Sequence, residues 1–119
     1  MINPAPVDIT LHRQSRILEI SFDDGARFEL PCELLRVYSP SAEVRGHGPG
    51  QAVLQLGKEQ VTVDTIEPVG NYAIKPRFSD GHDTGIYTWE LLYDLGLHRH
   101  ELWAAYLENL SSAGYERNP

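Results

Sequence analysis

Between Ile17 and Leu30 the chain alternates apolar and polar residues on either side of Asp23-Asp24-Gly25. Leu18, Ile20 and Phe22 share one side of the first run, with Glu19 and Ser21 on the other. In the second run Ala26, Phe28 and Leu30 alternate with Arg27 and Glu29. Successive side chains of a strand point to opposite faces, so a period of two gathers the apolar residues on one face. Glycine supplies the positive φ that tight hairpin turns require. The pattern predicts a β-hairpin, and the rest of the chain must cover its apolar face. Pro31 follows directly, and proline suits the first turn of a helix because its missing N–H is not needed there. A short helix over residues 31–38 is predicted, ended by Ser39-Pro40-Ser41.

Further along, residues 60–69 are rich in β-branched side chains (Val61, Val63, Ile66, Val69). Residues 71–78 alternate again, with Tyr72, Ile74 and Phe78 on the apolar side. Pro76 falls on that side too. It cannot donate a ladder hydrogen bond, which points to an edge strand, a bulge or a break. Ser79-Asp80-Gly81-His82-Asp83 reads as a second turn, and residues 84–87 as a short returning strand. Thr88 is a suitable N-cap for a helix over 89–95, with Gly96 as its stop. A second helix is predicted from about Arg99 to Ser111, where Trp103, Tyr106, Leu107 and Leu110 form one apolar stripe. Residues 46–50, Gly-His-Gly-Pro-Gly, read as a flexible loop. The expected architecture is α+β: a small antiparallel β-sheet domain with a short helix after the first hairpin and two C-terminal helices. Residues 1–8 are expected as a flexible lead-in, 9–111 as a single domain, and 112–119 as a flexible tail.

At 119 residues the chain is long enough to bury a core without disulfides or a structural metal. Ten Lys and Arg against seventeen Asp and Glu give a net charge of −7. An acidic surface repels phosphate backbones, so no nucleic-acid partner is expected. Apolar runs are too short to span a bilayer, so no membrane partner is expected either. No basic, apolar leader opens the sequence, and the expected location is cytoplasmic. A single cysteine, Cys32, excludes an intramolecular disulfide and every multi-cysteine metal cage. The adjacent Glu33 raises rather than lowers its thiol pKa, so Cys32 reads as structural.

Five histidines are the remaining candidates for chemistry. His98 and His100 diverge on a helix, His47 lies in the glycine loop, and none is followed two places later by Asp or Glu, as an iron oxygenase needs. His82 stands beside Asp80 and Asp83. It reads either as a turn histidine bonded to the backbone or as a metal ligand. Neither a Walker loop nor a Gly-x-Ser-x-Gly elbow is present.

Residues 69–92, from Val69-Gly70-Asn71-Tyr72 through Asp80-Gly81-His82-Asp83-Thr84-Gly85-Ile86-Tyr87 to Leu92, resemble the signature of the domain-of-unknown-function 971 family. That family is similar to the N-terminal domain of γ-butyrobetaine hydroxylase. Phe28-Glu29-Leu30-Pro31-Cys32-Glu33-Leu34-Leu35-Arg36 fits the family's strand followed by a short Leu-Arg helix, and the resemblance covers about residues 9–96. In the hydroxylases the resemblance implies a zinc site of three cysteines and one histidine. Carried onto this chain, those positions are Ser39, Ser41, Val44 and His82. Serine is a poor zinc ligand at neutral pH and valine has no donor atom, so the resembling zinc site is expected to be absent. Related domains accompany oxygenases without doing their chemistry, or are fused to P-loop ATPases that handle iron–sulfur clusters.

The leading expectation is therefore a non-catalytic accessory domain that binds a protein partner or a second copy of itself, in a setting linked to iron–sulfur or metal handling. Its contact surface is placed at Asp80, Gly81, His82, Asp83, Tyr87 and Trp89, with no resident cofactor. The alternatives are weak zinc or iron binding through His82 with Asp80, Asp83 or another histidine, and a small-molecule enzyme, for which no nucleophile–base pair stands out.

Overall fold

The computed structural model describes residues 4–41, 44 and 53–117. The glycine loop at 46–50, with His47, lies outside the described residues. The architecture is α+β. Strands β1 (Pro6–His12), β2 (Ile17–Phe22) and β3 (Arg27–Pro31) form one antiparallel sheet in the order β1-β2-β3. Helix α1 (Cys32–Val37) follows without a linker. Strands β4 (Val63–Val69), β5 (Ala73–Phe78) and β6 (Tyr87–Thr88) form a second antiparallel sheet in the order β4-β5-β6. Helices α2 (Trp89–Leu97) and α3 (Arg99–Ser112) complete the element order.

The predicted hairpin is β2–β3, with Leu18 opposite Leu30 and Ile20 opposite Phe28. Leu18, Ile20, Phe22 and Leu30 are buried, as the alternation requires. Gly25 has φ +91°, and the Asp24 carboxylate accepts the Ala26 N–H at 2.9 Å, closing the turn. The core joins this face to Cys32, Leu34 and Leu35 of α1, to Val63, Ile74, Phe78 and Tyr87 of the second sheet, and to Leu92 and Leu95 of α2. Burial pushes the Cys32 thiol up, in keeping with a structural role.

Several expectations are corrected. Strand β1 begins at Pro6, inside the stretch read as a lead-in; Ile9 and Leu11 pack against the core while Thr10 faces out. Tyr72 is not on the buried side of β5 but 51% exposed, because the strand starts only at Ala73. Pro76 is buried opposite Ile66 in the central strand of its sheet. It is tolerated there because β6 pairs only with Ala73 and Ile74, which leaves β5 without a second partner at Pro76. Leu107 stays partly exposed, while Tyr106 and Leu110 are buried with Val37 in a smaller second cluster. Residues 113–117 do not hang free: Arg117 reaches Glu33, and the Tyr115 hydroxyl donates to Glu59.

Thr88 caps α2 as predicted, its hydroxyl accepting the Leu91 N–H at 3.1 Å. Gly96, however, lies within α2 rather than ending it. A Cβ at this position would stand 2.3 Å from Cγ of Phe28. The glycine lets the helix settle directly on the Phe28 ring, itself edge-on to Phe22 and Tyr93. Gly96→Ala is therefore expected to destabilise the fold by about 1–3 kcal/mol, the usual cost of overpacking, although alanine favours a helix interior. Urea denaturation checks this, and an unchanged or higher midpoint contradicts it.

Candidate functional site

The site lies where the exit of α1 meets the loop between β5 and β6. Pro40 ends the helical run and carries Ser39 and Ser41 across to that loop. Two tight turns of backbone shape the loop: Gly81 N–H donates to Phe78 O at 2.9 Å, and Phe78 N–H donates to His82 O at 2.9 Å. Gly81 has φ +91°, a conformation that side-chain-bearing residues rarely adopt. The loop closes against α1 because Gly85 has no side chain. A Cβ there would sit 2.4 Å from the Ser39 Oγ and 3.3 Å from Cδ of Pro40.

His82 is buried, 6% exposed, and its Nε2 lies 2.9 Å from Oγ of Ser39, which is fully buried. The same Ser39 oxygen accepts the Ser41 N–H at 3.2 Å. The Ser41 hydroxyl pairs with that of Thr84 at 2.6 Å. The His82 ring packs 6.0 Å from the Phe78 ring. Val44 is also buried. Ser39, Ser41 and His82 therefore meet in space, held by the Ser39–His82 hydrogen bond and the Ser41 N–H bond to Ser39, while Val44 joins them through Ser41, its backbone N–H donating to the Ser41 carbonyl at 3.0 Å. This donor set does not fit zinc: neither serine supplies a thiolate, Val44 supplies no donor, and among the described residues no three His, Cys, Asp or Glu side chains converge.

Asp80 anchors the outer side of the loop. Its carboxylate accepts Nε–H of Arg36 at 2.8 Å, Nζ–H of Lys58 at 2.6 Å and the backbone N–H of His82 at 3.2 Å. Burial opposes its ionisation, but the hydrogen bonds from Lys58, His82 and Arg36 prevail and hold its carboxyl down at about 2. Arg36 is itself buried.

Of the residues predicted for a contact surface, two are corrected. His82 and Tyr87 face inward, His82 toward Ser39 and Tyr87 into the core, where its hydroxyl donates to the Leu35 carbonyl. Both are polar-tipped rings that find buried partners, which is what favours their burial. Trp89 is half-buried, and its indole N–H donates to Asn71 O at 2.8 Å. Gly81 and Asp83 are exposed. Cys32 belongs to the core cluster and not to this site. Arg36, Lys58, Thr84 and Gly85 join the site without being singled out by sequence. Arg36 and Asp80 are 44 residues apart, and no local pattern links them. Thr84 and Gly85 lie within the signature stretch and Arg36 within the Leu-Arg helix, but no pattern there marks what each one touches.

The model of the γ-butyrobetaine hydroxylase-like N-terminal domain matches residues 9–93, a span that includes every residue of this site. The chain belongs to that family. Two solution NMR structures are 54% and 47% identical to it, each covering 98% of the chain at a TM-score of 0.84 and matched over 87% and 91% of their own length. A crystal structure of a protein of unknown function from Acidithiobacillus ferrooxidans, a member of the domain-of-unknown-function 971 family, is 41% identical. It covers 76% of this chain and 91% of its own at a TM-score of 0.65. No curated protein matches the chain.

The depressed carboxyl of Asp80 has a defined consequence for stability. A carboxylate held below its ordinary value of 3.8 stabilises the folded state above that pH, and the contribution is lost as the pH falls toward about 2. Asp80→Asn is expected to cost on the order of 1 kcal/mol at pH 7, after allowance for solvent screening of a rim carboxylate. The difference from wild type should shrink between pH 4 and pH 2. Denaturation midpoints measured across that range check both statements; a constant gap at all pH values contradicts them.

Proposed function

We propose that this domain is a non-catalytic accessory module whose β5–β6 loop docks a protein partner. One observation carries the reading: the loop is braced from beneath and presents an exposed outer rim. Its polar side chains Asp80 and His82 are engaged by Arg36, Lys58 and Ser39, while Gly81, Asp83 and Ile86 point outward, Ile86 43% exposed. A rigid loop offers a partner its contacts without an ordering cost on binding. The contact surface proposed here is this rim, with Trp89 at its flank, in place of the buried His82 and Tyr87.

The nearest approach to a catalytic pair is Ser39 with His82. Both are buried, so a substrate would have to displace the loop to reach the serine, and the paired hydroxyl accepts the Ser41 N–H as a structural group does. The geometry favours neither hydrolysis nor weak metal binding over docking.

Affinity capture from the native source with the full chain as bait tests the reading. A specific protein recovered by wild type should fall at least tenfold with Asp83→Lys or Ile86→Ser, at an unchanged melting temperature. Equal recovery by the rim variants contradicts the proposal. Zinc or iron at one ion per chain in untagged protein would favour the metal reading instead.

A further inference from the structure

A second buried charged residue of α1, Glu33, is paired with a residue far away in sequence. Glu33 stands in the first turn of α1 and is 7% exposed. A carboxylate so far from water must be matched by a cation and by hydrogen bonds. The match comes from Arg117, whose Nε–H donates to Oε2 at 3.1 Å while Nη2–H donates to Oε1. This is the two-pronged geometry that guanidinium and carboxylate share and that an ammonium cannot reproduce. The Arg117 guanidinium carbon also stands 5.1 Å from the centre of the Trp103 ring. Carboxylate on one side and indole on the other make a pocket shaped for a guanidinium.

The segment that delivers Arg117 lies outside the regular elements and is attached by a small number of contacts. After α3, Gly114 turns the backbone back with φ +77°, and Tyr115 N–H donates to Leu110 O. Residues 115–117 belong to no helix or strand. Beyond the Tyr115 backbone bond, they are held by side chains: Tyr115 packs on the Val37, Tyr106 and Leu110 cluster with its hydroxyl on Glu59, and Arg117 lies on Glu33 and Trp103. An open cleft of about 380 Å³ is lined by Leu107, Leu110 and Ser111 of α3 and by Tyr115 and Arg117 of the segment. The Arg117 side chain is 30% exposed, so solvent reaches the pocket from outside. The segment also lies beyond residues 9–93, which the family model matches.

We propose that Glu33 and Trp103 form an arginine-recognition site that Arg117 occupies in cis, and that an arginine of a basic protein segment takes when residues 113–117 lift away. The net charge of −7 favours approach of such a segment. The site lies apart from the β5–β6 rim, so it stands or falls independently of the docking proposed there.

The test uses N-acetyl-arginine amide as the probe. Arg117→Ala should bind it with saturation, read as a change in Trp103 fluorescence confirmed by the indole resonance in NMR. Arg117→Ala/Glu33→Gln should bind at least tenfold more weakly, and N-acetyl-lysine amide should bind Arg117→Ala at least tenfold more weakly than the arginine probe. In the wild-type chain the same probe should shift the Arg117 Nε–H resonance only at concentrations at least tenfold higher, as it competes with the resident side chain. Equal binding by the single and double variants overturns the proposal. So does a wild-type Arg117 resonance that no probe concentration moves, together with an Arg117→Ala chain that does not fold; Arg117 would then be a structural anchor and nothing more.

Discussion

The hydroxyl of Tyr87 holds the two halves of this domain together. Its ring lies in the core between Phe78 and the apolar face of the first hairpin, and its O–H donates to the Leu35 carbonyl of α1. The last carbonyls of a short helix have no intrahelical partner, and α1 is only six residues long. A buried donor from the second sheet satisfies one of them. That bond fixes where α1 ends relative to β6, and therefore where Ser39 and Ser41 meet the β5–β6 loop. The Ser39–His82 and Ser41–Thr84 pairs, and the grip of Arg36 on Asp80, all depend on this placement.

The site shows how a polar cluster can keep its geometry while changing its chemistry. Ser39, Ser41 and His82, three positions that the family resemblance links to a metal, are joined here by ordinary hydrogen bonds. A metal site contributes its binding free energy to folding; each neutral hydrogen bond contributes only about 1 kcal/mol. The difference is offset by the ion pairs of Asp80 and by close packing at Gly85, where the loop approaches Ser39 more nearly than any residue with a side chain allows.

How much of this was legible in the sequence follows from the range of each interaction. The β2–β3 hairpin, α1 and the Thr88 cap are written in neighbours a few positions apart, and their signals were clear. Strand β1 was missed because Pro4, Pro6 and the polar residues around them obscure an alternation that only Val7, Ile9 and Leu11 carry. Gly96 was misread because a glycine near a helix end suggests a stop, whereas its role is set by a ring from β3 that lies far away in sequence. At the site, Ser39, Ser41 and His82 lie in one hydrogen-bonded cluster, but the inward aim of His82 and Tyr87 depends on partners in and just after α1 that spacing alone does not reveal. The salt links of Asp80 to Arg36 and Lys58, and of Arg117 to Glu33, belong to the same class of long-range pairing.

The two flanks of the second sheet differ. β6 pairs with only the first two residues of β5, yet Ile74, Pro76 and Phe78 are buried, so the exposed flank of this sheet is β4. Open flanks invite strands from neighbouring molecules and the stacking that leads to fibres. Pro68 is exposed in β4, so that flank carries a residue that has no N–H to offer an incoming strand. A proline, the residue least suited to a sheet interior, is thus a safeguard at its exposed edge.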